Sequence, residues 1–203
     1  MAKKIGIIIC ALVTAMTVLL SCAEKDLTRS TEKAPTIPSN ETTFDVTVDE
    51  FIEIINGDLH ENDMDPIPTA YQTERYISGE AEEYECVECY VEISEGLSVT
   101  FYTFPELGDE IAVVLLKCKG APNIDSDLHD LADQYYRIIC QNVQPQFDAE
   151  NFQTYSSHNE HYTLENLIFY CIYSQVREGN QDQYNLRTYG IHGVGLDDKY
   201  ENF

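Results

Sequence analysis

Cations are what this sequence lacks most. Its 203 residues hold 12 Lys and Arg against 36 Asp and Glu, a formal net charge of -24 at pH 7. Such a chain repels phosphate backbones and anionic lipid surfaces, and with no basic stripe to offset this a nucleic-acid role is excluded. Tryptophan is missing and methionine is rare, so the aromatic content rests on 14 Tyr and 8 Phe. Repeated long apolar runs are missing too, which excludes a polytopic membrane protein. Catalytic signatures are equally scarce: there is no G-x-S-x-G, Walker loop or dinucleotide fingerprint. The glycines of Gly190-Ile191-His192-Gly193-Val194-Gly195 follow a strand pattern, but no helical pattern follows them, so the segment reads as a flexible entry to the tail. Acids are so numerous that no pair stands out as a general acid and base. With 43% apolar residues the chain can still bury a core, in one domain or two small ones.

The first 22 residues read as an address. Ala2-Lys3-Lys4 supplies a positive start, and Ile5 to Leu20 carries no charge. Leu19-Leu20-Ser21-Cys22 follows, with a small residue before the cysteine and Leu three positions ahead of it. This resembles the lipobox of bacterial lipoproteins, whose signal peptidase cleaves before a cysteine already carrying diacylglycerol on its thiol. The resemblance implies residues 1–21 as signal peptide, Cys22 as the lipidated new N-terminus, and a place on the outer face of the cell membrane. Ala23, where Asp would favour inner-membrane retention, implies export to the outer membrane in a Gram-negative host. The resemblance covers the signal alone. Without Lys3 and Lys4 the mature chain is more acidic still, which makes cationic partners attractive.

Residues 22–43 are rich in Ser, Thr and Pro and poor in large apolar side chains, the composition of a tether. Residues 44–203 are expected to form an acidic α+β domain, two main helices packed on antiparallel sheet. Thr47 and Glu50 have the spacing of a capping box, with Val46 and Phe51 as a hydrophobic staple, predicting a helix from Val48 to about Asn56-Gly57. Asp58 to Pro68 is then expected as a loop. Glu85 to Ile93 alternates, turns at Glu95-Gly96, and continues through Leu97, Val99 and Phe101 as a hairpin. Ile111 to Cys118 is apolar on both faces, which places it inside a sheet. A second helix is expected from Asp125 or Ser126 to Asn142, a short helical turn at Asp148 to Tyr155, one long strand from Leu164 to Val176, and a last strand from Tyr184 to Ile191. The order also reads as two halves, 44–120 and 121–203, each a helix followed by a meander. In outline this is similar to tandem secreted inhibitors and cystatin-like sheets.

Five cysteines follow Cys22: Cys86, Cys89, Cys118, Cys140 and Cys171. The Cys86-x-x-Cys89 spacing suits redox exchange or zinc, but inside a strand it separates the α-carbons by roughly 10 Å and points the side chains to opposite faces. Zinc shared by Cys86, Cys89, His158 and His161 matches no finger spacing. These residues would serve the alternative function, an exported enzyme or a metal- or thiol-handling protein. Asp58, Glu61, Asp63 and Asp65 start like a calcium loop, but Pro66 stands where a turn glycine belongs, which leaves weak calcium binding at most. No catalytic residue and no cofactor is assigned. The reading that remains is a surface one. If Val87, Cys89 and Val91 face the core, then Tyr84, Cys86, Glu88, Tyr90, Glu92 and Tyr102 share the opposite face, and tyrosine with carboxylate suits a cationic or amphipathic peptide, protein or cell-wall partner. The competing reading is that this face is packed beneath the other half of the protein.

Overall fold

A computed structural model describes residues 36–78, 84–120, 126–147, 161–178 and 182–196. The signal segment, Cys22, the helical turn expected at 148–155 and His158 lie outside the described residues. The elements run α1 (Val48–Glu61), β1 (Gln72–Ser78), β2 (Tyr84–Ser94), β3 (Leu97–Thr103), β4 (Ile111–Gly120), α2 (Ser126–Val143), β5 (His161–Leu164), β6 (Leu167–Glu178) and β7 (Asp182–Gly193), with short 3-10 turns at Pro105–Leu107 and Val194–Leu196. The seven strands form one antiparallel sheet in the order β1-β2-β3-β4-β7-β6-β5. The α+β class is as expected, and the sheet is single.

Helix α1 starts where the capping box requires. The Thr47 hydroxyl accepts from the Glu50 amide, and the Glu50 carboxylate accepts from the Thr47 amide. Val48, Phe51, Ile52, Ile55 and Leu59 recur at helical spacing and are all buried. Gly57 does not stop the helix, and the loop expected at Asp58 contributes a further turn instead. The stop is built by Asp63, which takes φ 55°. Its amide donates to the His60 carbonyl and that of Met64 to the Leu59 carbonyl, while Met64 packs against the same core. This is a Schellman motif with aspartate in the place usually taken by glycine.

Both helices cover one face of the sheet. Their apolar sides meet Val87, Cys89 and Val91 of β2, Leu97, Val99 and Phe101 of β3, Val114, Leu116 and Cys118 of β4, and Phe169, Cys171, Tyr189 and Ile191 of β6 and β7. β4 is the central strand and is apolar on both sides for that reason: Val113 and Leu115 belong to a second, smaller cluster on the opposite face, with Cys86, Tyr102, Phe104, Ala112 and Leu196.

Three further differences from the sequence reading have local causes. The tether ends earlier than Thr43: Ile37 is completely buried, the Thr36 and Ile37 amides donate to the Asn142 carbonyl, and Phe44 bridges to Ile111. The strand expected from Leu164 to Val176 is β6, which starts at Leu167; Leu164 instead ends β5, which a hairpin at Glu165-Asn166 joins to β6, with Glu165 at φ 54°. Gly190 to Gly195 is not a flexible entry to the tail. β7 runs to Gly193, the Gly195 amide donates to the Glu41 carbonyl at 2.7 Å, and a Cβ on Gly193 would lie 2.2 Å from that same oxygen.

A candidate partner-binding face of the sheet

The face turned away from α1 and α2 is assembled by strand parity. Along β2, Val87, Cys89 and Val91 turn to the helices, so Cys86, Glu88, Tyr90 and Glu92 turn away. Register extends this set across the sheet: Glu74 and Tyr102 lie on either side of Glu88, Gln72 and Thr100 on either side of Tyr90, and Ser98 opposite Glu92. The expected face is therefore present, with Glu88, Tyr90, Glu92 and Tyr102 together. Tyr84 shares their parity, although its side chain lies outside the described residues. Glu74 and Thr100 join them; sequence reasoning missed Glu74 because β1 has no apolar alternation to announce it, and Thr100 because it took in only Tyr102 from β3.

The face is graded. Tyr102 and Cys86 are buried in the smaller cluster, Glu88 and Tyr90 are half-buried, and Glu74 and Glu92 are exposed. The packing expected by the competing reading thus holds at Tyr102 and Cys86 and not at the glutamates. Glu74 and Glu88 stand directly opposite each other, where like charges repel across roughly 5 Å. The sole cation of β1, β2 and β3, Arg75, is on the other face and pairs with Glu85 at 2.6 Å. That pair is exposed and contributes little to stability. Lys117 of β4 shares this face, opposite Ser98 and so three strands away from Glu74. Thr100 is completely buried, and its hydroxyl has no hydrogen-bond partner among the described residues.

The other candidate chemistries are not brought together. Cys86 and Cys89 lie in different clusters on opposite faces. All five cysteines are buried. Burial pushes the Cys89 and Cys140 thiols up and that of Cys171 up to about 12, so none of these three is poised as a thiolate. His161 is exposed on β5, at the opposite edge of the sheet from β1. It lies five strand spacings from β2, on the order of 24 Å. In the acidic segment, Asp58 and Glu61 belong to α1 and Asp63 shapes its end. The Asp58 carboxylate accepts from the Asn142 side chain at 2.7 Å, and the Tyr135 hydroxyl donates to the Asp65 carbonyl at 2.6 Å. The Asp58 side chain and the Asp65 backbone thus tie the end of α1 to α2. Among the described residues no group of three or more His, Cys, Asp or Glu is placed to hold a metal ion.

No protein-family model, curated protein or solved structure matches the chain. The site therefore rests on its own geometry. One polar cluster elsewhere is structural. The Tyr189 hydroxyl donates to Asp133, Arg187 donates to the Tyr189 oxygen at 3.0 Å, and Arg187 lies 3.5 Å from Asp133. Burial, then the Asp133 carboxylate, holds the Tyr189 phenol protonated. The cluster pins α2 to β7, and no sequence signal joins residues so far apart in the chain.

Proposed function

We propose that the chain is a lipid-anchored, extracytoplasmic, non-catalytic binding module that engages a cationic partner through the β1-β2-β3 side of the sheet face turned away from α1 and α2. The observation that carries this reading is the register that sets Glu74 against Glu88, with Glu92 beside them and no cation of those three strands on the same face. A basic peptide, or a basic segment of a protein or of the cell wall, relieves that repulsion, and Tyr90 offers it a flat amphipathic surface. The lipobox supports the anchor at Cys22, and residues 22–35 supply reach. In a Gram-negative host the anchor places the domain at the outer membrane.

The sheet also supports common ancestry of the two halves, 44–120 and 121–203. Their last strands, β4 and β7, pair antiparallel at the centre, and both helices lie on one face, as a two-fold axis normal to the sheet requires.

The binding reading is tested with oligolysine and the full-length chain in neutral detergent. Affinity should fall with ionic strength and should drop at least tenfold when Glu74, Glu88 and Glu92 are changed together to Gln. Unchanged affinity in that variant contradicts the reading. The anchor is tested by fractionation: Cys22→Ala should move the protein out of the membrane fraction, and retention there contradicts lipidation at Cys22.

A further inference from the structure

We propose that Thr100, Tyr90, Glu88 and Glu92 form a recognition site for one cationic side chain of the partner, a lysine ammonium or an arginine guanidinium. This deepens the binding reading and rests on it.

Two independent observations meet here. The first is the carboxylate pair that flanks Tyr90 on β2, Glu88 two residues before it and Glu92 two residues after. The second is Thr100, which faces Tyr90 in register, exposes no surface, and carries a hydroxyl with no hydrogen-bond partner among the described residues. A buried hydroxyl left unpaired is unfavourable, and valine of the same shape would avoid the penalty. Both glutamates lie diagonally from Thr100 across the β2–β3 pair, about 7–8 Å away, within reach of a glutamate side chain. A cation between them donates one hydrogen bond to the Thr100 oxygen and others to a carboxylate, while its methylenes lie on the Tyr90 ring. The Glu74 charge opposite Glu88 adds to the field. In register Thr100 lies between buried Leu115 and half-buried Tyr90, so the ligand reaches it from the Tyr90 side.

The experiment titrates the full-length chain in neutral detergent with a capped peptide containing lysines separated by glycines, and with the same peptide fully acetylated on its lysines. Thr100→Val should weaken binding of the lysine peptide roughly tenfold or more while raising the denaturation midpoint, and Thr100→Ser should keep most of the affinity. Glu88→Gln should weaken it comparably, and the acetylated peptide should not bind. Unchanged affinity in Thr100→Val overturns this site and leaves the acidic-face reading standing, provided the triple glutamine variant still loses affinity. Equal binding of the acetylated peptide overturns the site as a reader of charge. No binding of either peptide or of oligolysine overturns the site and the face together.

Discussion

At Thr47, side chain and backbone agree, and the Thr47-x-x-Glu50 spacing announces it in the sequence alone. Thr47→Ala should cost about 1 kcal/mol, read as a shift in denaturation midpoint, because it removes one half of the capping box. The hydrogen bonds from Thr47 hold the Glu50 carboxyl below its ordinary 4.5. A lowered folded-state value means this contribution is present above 4.5 and is lost as pH falls through the folded value. Thr47→Ala keeps the backbone bond to Glu50 and loses the hydroxyl bond, so that acid-side loss should shrink only in part, and a larger acid-side loss in the variant would contradict the linkage. Gly193 is the opposite case, since nothing in the sequence shows that the Glu41 and Thr42 backbone lies against it. Gly193→Ala should destabilise by about 1–3 kcal/mol through backbone displacement, and an unaltered midpoint would contradict that packing. Partners distant in sequence, such as half-buried Asp133 and buried Tyr189, are illegible for the same reason: their pairing is a product of topology.

Elements were legible where periodicity was strong. α2 buries Ala132, Tyr135, Ile138 and Ile139 as its spacing predicts, and β4 is central because both its faces are apolar. What failed were boundaries set by unusual residues in left-handed backbone. Asp63 ends α1 and Glu165 opens the β5–β6 hairpin, and neither is the glycine or asparagine that marks such positions. β1 escaped notice because Gln72 to Arg75 are all polar, and an edge strand paired on one side needs no alternating apolar row. The segment before α1 looked like a tether because Ile37 is its one large aliphatic side chain after Leu27, yet that residue is fully enclosed. Ile37→Ala should therefore cost about 2–5 kcal/mol, and a chain beginning at Phe44 should be destabilised at least as much as the point variant. Equal denaturation midpoints for chains beginning at Ala34 and at Phe44 would show that residues 36–43 are a tether after all.

Across the whole molecule, acid on the surface coexists with weak acids held neutral inside. Burial raises Cys171 to about 12 and raises Cys140, Tyr136 and Tyr189 as well. The unfolded chain releases these protons first, near 9 for thiols and near 10 for phenols. Their contribution to stability is thus full below pH 9 and falls as pH climbs from 9 towards 12. Urea midpoints measured over that range should decline, and the five thiols should be alkylated only after denaturation; a flat profile or rapid native alkylation would contradict the burial of these groups. The candidate face itself was half legible. Parity along β2 was enough to collect Glu88, Tyr90 and Glu92, whereas Glu74 and Thr100 required the pairings of β1 and β3. Cation binding on this face is best checked by backbone amide mapping of the full-length chain as a lysine-containing peptide is added. Shifts should concentrate at Gln72, Glu74, Glu88, Tyr90, Glu92 and Thr100. Shifts confined to α1, α2 or the Asp58 to Asp65 segment would mean that the acidic sheet face is not where the partner binds.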